Sequence, residues 1–254
     1  MTDKKYDIIL FGCTGFTGKL AVEYLLQKQL QLKDAELPLE WAVSARNVEK
    51  AEAAVHELAS AAKLQPPSIL QADLMCTTDE QVETLKNIVQ RTKVVLTCSG
   101  PFEKYGQTLL KLCAEYGVHY ADITGETDFV RTMISEHDLT AQQSGAVIIP
   151  HCGNDCIPQD LTVWELHQYA KKHNCSLQQV LTYVTVHQDA SLSGGTAATA
   201  AFQLGKNRND TTHKKPEFDP LLKTPSGPKS EYITKNVSPK SNVTVPELNN
   251  VTAG

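Results

Sequence analysis

Three glycines, Gly12, Gly15 and Gly18, stand at three-residue spacing in "FGCTGFTGKL", directly behind the apolar run "YDIIL" and ahead of a stretch with helical periodicity. In a strand–turn–helix unit such glycines have separate uses. The first permits a tight turn, the second lets the main chain approach a pyrophosphate, and the third lets the helix pack closely on the strand. The amino end of the helix then offers unpaired N–H groups and a partial positive charge to phosphates, with the hydroxyls of Thr14 and Thr17 nearby. A glycine-rich turn without a ligand is the plainer alternative. The strand–helix alternation that follows favours a dinucleotide.

The second informative point is the end of the next strand, "AVSARNVEK". An NAD-type site puts Asp or Glu there to take the ribose 2′-hydroxyl. Here the residues are Ser44, Arg46 and Asn47, with no carboxylate before Glu49. An arginine holds a 2′-phosphate by charge-assisted hydrogen bonds where a carboxylate would repel it, so the expected cofactor is NADP. A solvated surface arginine is the alternative for Arg46. Asp73, after "SILQA", is expected beside the adenine or else as a turn or capping aspartate. Ser99, Gly100 and Pro101, after "KVVLTC", are expected beside the nicotinamide ribose by position.

No acid–base constellation declares itself. Tyr24 and Lys28 have the Tyr-x-x-x-Lys spacing of short-chain dehydrogenases but fall on the first helix, the wrong place for that mechanism. Polar groups near the ends of the fifth and sixth strands are Tyr120, Asp122, Thr124, Glu126, His151, Asn154 and Asp155. Of these Tyr120, Asp122 and Glu126 are the catalytic candidates, with local backbone capping the competing use for Asp122. His151 beside Cys152 and Cys156 lacks a second ligand pair, so no metal is expected.

The elements that must position these groups alternate. Strands are expected over 6–10, 39–45, 68–72, 93–98, at "VHYADI" and at "AVIIP". Helices are expected after the glycines with Ala21, Val22, Leu25 and Leu26 inward, from Asn47 with Val48, Ala51, Val55, Leu58 and Ala62 recurring, and from Asp79 with Val82, Leu85 and Val89 inward. Further helices follow over 106–117, closed by Gly117, and from Thr127 to about Ser144. Such alternation with apolar strands implies an α/β fold, a Rossmann-type doubly wound parallel sheet. Residues 1–150 are read as this cofactor domain. Residues 151–205 are read as the start of a second, incomplete α+β domain, with a helix over 158–173 carrying Leu161, Trp164 and Gln168 on one side. A strand over 179–188 and a small-residue helix from Ser193 to Gly205 complete it. Residues 206–254 hold 6 of the 12 prolines and few large apolar groups, and are read as loop or disordered tail.

Composition sets outer limits. The chain has 254 residues, 41% of them hydrophobic, and a net charge of −5 divided between an acidic first part and a mildly basic tail. No basic stripe or stacking platform supports nucleic-acid binding. Neither a long apolar span nor a signal peptide is seen, and the seven scattered cysteines read as reduced thiols. A cytoplasmic protein is expected, and its Asn-x-Ser/Thr matches carry no meaning there.

Taken in order, "FGCTGFTGKLAVEYL", "SARN", "SGPFEKYGQTLLKLCAEYGVHYADITGE", "GNDCIPQDL" and "SGGTAATA" closely resemble the saccharopine dehydrogenase-like oxidoreductases over about residues 6–205. The resemblance extends to the saccharopine reductases and the mycobacterial trans-acting enoyl reductases. It implies cofactor positions at Gly12, Thr14, Gly15, Phe16, Thr17, Gly18, Arg46 and Ser99–Pro101, and a substrate-side motif at Tyr120, Asp122, Gly125 and Glu126. It also implies an NADP(H)-dependent reaction on a small-molecule or lipid substrate, in lipid or amino-acid metabolism. Family members run on well past residue 254 into a half that completes the second domain and often carries a membrane- or lipid-droplet-linked segment. The expectation is therefore a fragment or short form, with turnover left open, and with a non-catalytic NADP-binding sensor or a lipid-droplet-associated protein as alternatives. Pairing into a homodimer is a further expectation.

Overall fold

The computed structural model of the chain describes residues 4–32, 38–177, 179–180 and 194–205. The body of the strand expected over 179–188, the Ser193 cap and the 206–254 tail lie outside the described residues.

Fourteen elements follow in chain order: β1 Tyr6–Phe11, α1 Phe16–Leu32, β2 Trp41–Ala45, α2 Val48–Ala61, β3 Ser68–Gln71, α3 Asp79–Val89, β4 Thr92–Thr97, α4 Phe102–Tyr105, α5 Gln107–Tyr116, β5 His119–Asp122, α6 Thr127–Ser144, β6 Ile148–Ile149, α7 Ile157–Lys172 and α8 Gly194–Gly205. All strand pairings are parallel, in the order β3-β2-β1-β4-β5-β6. This is the doubly wound, Rossmann-type order, in which the chain reverses direction across the sheet between β1 and β4 and leaves a crevice at the carboxyl ends there.

The central strands β1, β2, β4 and β5 are largely buried because both faces of the sheet are covered there, while the edge strands β3 and β6 are half-exposed. On one face Leu10 and Val43 pack with Val22, Leu25 and Leu26 of α1 and with Ala51, Val55 and Ala59 of α2. On the other, Ile9, Phe11, Val95 and Tyr120 meet Leu85, Ile88 and Val89 of α3, Leu109 and Cys113 of α5, and Phe129, Val130 and Met133 of α6. Each fully buried aliphatic side chain contributes about 1.5–3 kcal/mol relative to exposure, so truncating Leu109 to alanine in the middle of the second layer costs about 2–5 kcal/mol.

Local signals set the helix ends. Asn47 caps α2 by accepting from the Lys50 amide at 2.8 Å. The Thr78 hydroxyl and the Gln81 side chain form a reciprocal capping box at α3. Gly117 and Gly145 close α5 and α6 with left-handed backbone. Two expectations need correction. Val82 is only half-buried, and Ile88 takes its place in the core. The α7 helix forms, yet residues 160–169 are all exposed, including Leu161 and Trp164, and only Ala170 is buried. Its apolar and its polar groups are both spread around the circumference, so no single face is apolar.

Candidate functional site

The crevice begins at the turn between β1 and α1. Gly12 has φ +87°, and a Cβ on it would lie 2.6 Å from Ser99 Oγ and 3.0 Å from the carbonyl carbon of Cys98. A Cβ on Gly18 would fall inside the Gly12 carbonyl group, 2.7 Å from its carbon. The protein itself therefore requires glycine at both positions. Gly15 is different. It is exposed, its φ is not in the left-handed region, and a Cβ there would meet only the Gly12 oxygen at an ordinary 3.5 Å. Among the described residues nothing demands glycine at 15, and the space beside it is open. The first-turn N–H groups of α1 have no carbonyl ahead of them within the helix. With half-buried Thr14 and Thr17 and the exposed Phe16 around them, they form a cradle suited to a pyrophosphate.

Beyond β2, Arg46 and Asn47 are exposed. The Arg46 main-chain oxygen accepts from Gln71 Nε2 at 3.4 Å, and among the described residues no ion pair engages its guanidinium. Asn47 uses Oδ1 for its cap, leaving its amide nitrogen as a donor. Ser44 is not with them. It is 1% exposed and its hydroxyl has no partner among the described residues, so the phosphate contact expected of it is corrected to a position beneath the crevice. The physical reason is strand alternation, which turns Ser44 into the layer opposite to Val43. Asp73 is half-buried, with Oδ1 accepting from the Met75 amide at 3.0 Å, the turn-forming use weighed for it.

After β4, Ser99, Gly100 and Pro101 form a turn with a cis Gly100–Pro101 peptide bond, pressed against the glycine loop through Ser99 and Gly12. Cys98 precedes it. Burial, with the Asp122 charge adding to it, pushes its thiol up to about 11, so it is no thiolate at neutral pH.

The three catalytic candidates are brought together, but inward. Asp122 is 1% exposed. Its Oδ1 accepts from the amides of Thr124 and His151 at 3.0 and 3.1 Å, and Oδ2 accepts from the Tyr120 hydroxyl at 2.8 Å. Burial raises the Asp122 carboxyl above its ordinary range, opposed by the hydrogen bonds from Thr124, Tyr120 and His151. Burial first, and then the Asp122 charge, hold the Tyr120 phenol well above its ordinary value. His151, with φ +61°, places Nδ1 2.7 Å from the Thr124 carbonyl oxygen, completing a knot that ties the ends of β5 and β6. Glu126 is 4% exposed, and its two oxygens accept from the amides of Phe102 and Glu103, each at 2.8 Å. The three catalytic candidates Tyr120, Asp122 and Glu126 are thus each shielded from solvent and bonded within the protein.

Tyr24 and Lys28 face solvent on α1, with Lys28 Nζ 5.4 Å from the Tyr24 ring centre. Among the described residues no three His, Cys, Asp or Glu side chains are grouped to hold a metal. Sequence reasoning missed Thr199 of α8, whose hydroxyl lies 3.4 Å from Glu126 Oε1; its setting in "GGTAATAA" carries no signal beyond small size.

Residues 8–149 match the family described as the saccharopine dehydrogenase NADP binding domain. A trans-acting enoyl reductase of Mycobacterium leprae is 35% identical over 165 residues, covering 65% of this chain and 36% of its own length. A Mycobacterium tuberculosis protein that carries the same name provisionally is 33% identical over 224 residues, covering 88% of this chain and 50% of its own length. The chain thus spans half or less of the length of these relatives. A solved short-chain dehydrogenase of Sphingobium yanoikuyae in complex with NADPH aligns at 15% identity and a TM-score of 0.37, covering 57% of this chain and 71% of that one, a likeness that carries no argument.

Proposed function

This chain belongs to the saccharopine dehydrogenase NADP-binding family, with NADP as its cofactor, and on that premise we propose that it works in an NADP(H)-dependent oxidoreductase. The observation that carries the reading is the contrast among the glycines. Gly12 and Gly18 are required by the chain's own backbone, whereas Gly15 borders open space where a pyrophosphate would sit. In this reading the first turn of α1 with Thr14 and Thr17 holds the pyrophosphate, and Arg46 with the Asn47 amide holds the 2′-phosphate. Ser99–Pro101 borders the nicotinamide half. When bound, the cofactor supplies or accepts a hydride. The chain's own residues bind and orient it and exclude water from the floor of the crevice.

The substrate class proposed is an unsaturated or imine-forming compound of lipid or amino-acid metabolism, in keeping with the enoyl-reductase names of the relatives. We place a boundary near residue 150, with 151–205 belonging to a substrate-side unit. Attachment to a membrane or lipid droplet and homodimer pairing stand as proposals from the family resemblance; no described helix is long and apolar enough to cross a membrane. One observation favours a second reading, in which this chain binds cofactor without turnover. Tyr120, Asp122 and Glu126 are all shielded, so none presents an acid or base to the crevice.

Titration of the purified chain with NADPH and NADH by nicotinamide fluorescence tests the binding claim. Tight NADPH binding and weak NADH binding are expected, and equal affinities overturn the assignment. Oxidation of NADPH with enoyl or imine compounds then separates the enzyme from the binder.

A further inference from the structure

Glu126 lies 24 residues beyond Phe102, the first residue of the helix it caps. Pro101, at the cap position of α4, makes no side-chain cap bond, and the amides of Phe102 and Glu103 are taken instead by the two oxygens of the Glu126 carboxylate. Charge-assisted bonds of this kind to two successive amides are among the stronger ones in proteins and fix where the Ser99–Pro101 turn ends. The same carboxylate meets α8. Thr199 Oγ1 lies 3.4 Å from Glu126 Oε1, and Gln203, one turn further along the same face, donates from Nε2 to Glu103 Oε2 at 3.4 Å. The Thr199 hydroxyl also stands over Gly100, 3.6 Å from where its Cβ would be. Ala197, Ala198, Ala200 and Ala201 keep this helix thin enough to come close. No residue of α8 is buried, and Thr199 and Gln203 bring it to the α4 turn through polar contacts. Contacts at 3.4 Å are at the long end of hydrogen-bond distances and leave room to shorten.

We propose that Glu126 is a positioning residue that couples α8 to the Ser99–Pro101 turn, so that α8 walls the crevice at its nicotinamide end and is held more firmly when that end is filled. The inference rests on reading the crevice as an NADP(H) site. The side is assigned by topology. A dinucleotide whose 2′-phosphate half lies over β2 at Arg46 puts its other half across the switch point over β4, where this turn sits against Gly12.

Hydrogen exchange on the full chain tests it, with NADPH and with adenosine 2′,5′-bisphosphate, which carries the adenosine and 2′-phosphate but no nicotinamide. NADPH is expected to protect both 12–18 and 194–205, and the bisphosphate only 12–18. Thr199→Val keeps the shape and the α4 cap but removes the hydroxyl. In it NADPH still protects 12–18, loses its extra protection of 194–205, and binds about two- to fivefold more weakly, as for loss of one weak hydrogen bond. Bisphosphate affinity stays unchanged. Glu126→Gln should show the same ligand-dependent loss together with lower stability. Equal protection of α8 by both ligands, or full NADPH protection of α8 in Thr199→Val, overturns the coupling while leaving the cofactor site intact. Failure of NADPH to protect 12–18 in the wild type removes the proposed function, and this inference with it.

Discussion

The carboxyl edge of the sheet has two halves that treat polar groups in opposite ways. Over β2, Arg46 and Asn47 stand in water, with a guanidinium and an amide nitrogen turned outward. Over β4, β5 and β6, Tyr120, Asp122, Thr124 and Glu126 are buried and bonded to one another or to main chain. A polar group left in water carries no penalty until a ligand displaces the water, whereas a buried one must have a partner. On the proposed reading the first half is free to take a ligand from outside, and the second holds the floor of the crevice. Residue type alone does not distinguish the two. An aspartate and a tyrosine at strand ends look alike in a sequence whether they face a crevice or, as Tyr120 and Asp122 do, lie buried and bonded to each other.

The largest effect should come from the glycine loop, where both kinds of demand occur within seven residues. Gly18→Val drives a side chain into the Gly12 carbonyl and should cost ~3–5 kcal/mol of stability, enough to unfold a marginal domain. Gly15→Val has room within the protein and should leave the urea midpoint nearly unchanged while abolishing detectable NADPH binding, because the isopropyl group occupies the phosphate's approach. If Gly15→Val binds NADPH as well as the wild type does, the cradle is not where the phosphate goes.

The rigid half comes next. Asp122→Ala leaves the Tyr120 hydroxyl and the Thr124 and His151 amides without their acceptor, and a buried unpaired donor costs ~1–3 kcal/mol. A total loss of ~2–4 kcal/mol is expected, because the loop relaxes part of the way toward water. The pH dependence has a definite sign. Burial, only partly offset by the three hydrogen bonds, holds the Asp122 carboxyl above its ordinary 3.8, so the folded chain takes up this proton at a higher pH than the unfolded one. The native state binds more protons in that interval, and stability falls as pH rises from 3.8 through the raised native value. Asp122→Asn cannot titrate there. The stability of the wild type relative to Asp122→Asn should therefore decline across that interval and level off above it, measured by urea unfolding at a series of pH values. A difference that grows with pH would mean that the carboxylate, not the acid, is the favoured buried form.

Legibility in the sequence follows the same division. The five longer strands were readable because parallel strands covered on both faces are short continuous apolar runs, and α6 ends where Gly145 stops it. Gly12, Gly18 and Arg46 stand out because backbone approach and charge choice limit which residues serve there. Ser44 was misplaced because its face depends on register, and a five-residue run of small and apolar residues does not announce its inward side. The Glu126 cap was invisible because its partners at 102 and 103 are brought to it only by the parallel pairing of β4 and β5. The α7 helix was readable from its spacing, but helical spacing that places Leu161 and Trp164 on one side does not say what covers them, and both are exposed.

On the open half the largest expected effect belongs to Arg46. Charged hydrogen bonds are worth roughly 1.5–3 kcal/mol, and exposure to salt discounts them, so Arg46→Ala should weaken NADPH binding about 5- to 30-fold. NADH, which lacks the 2′-phosphate, should change little, and thermal stability should not move. Equal losses for both cofactors would show that Arg46 supports the loop rather than reading the phosphate. Gln71, which donates to its main-chain oxygen, would then be the more informative neighbour.

Asn47 sharpens the contrast most finely, because it belongs to both kinds at once. Its Oδ1 caps α2 at the Lys50 amide, a structural use, while its amide nitrogen is left as a donor on an exposed residue next to Arg46. Asn47→Asp separates the two. Aspartate caps as well as asparagine, and its charge suits a helix amino terminus, so the unfolding midpoint should stay level or rise slightly. The new carboxylate then stands where NAD-type sites keep theirs, repelling a 2′-phosphate and accepting from a 2′-hydroxyl. Because the position is exposed and screened, the expected loss of NADPH affinity is modest, about two- to fivefold, with NADH affinity unchanged or improved. Arg46→Ala combined with Asn47→Asp should then bring the two cofactors close to parity. Should Asn47→Asp lower the midpoint and leave both affinities alone, Asn47 is a helix cap only, and Arg46 alone reads the phosphate.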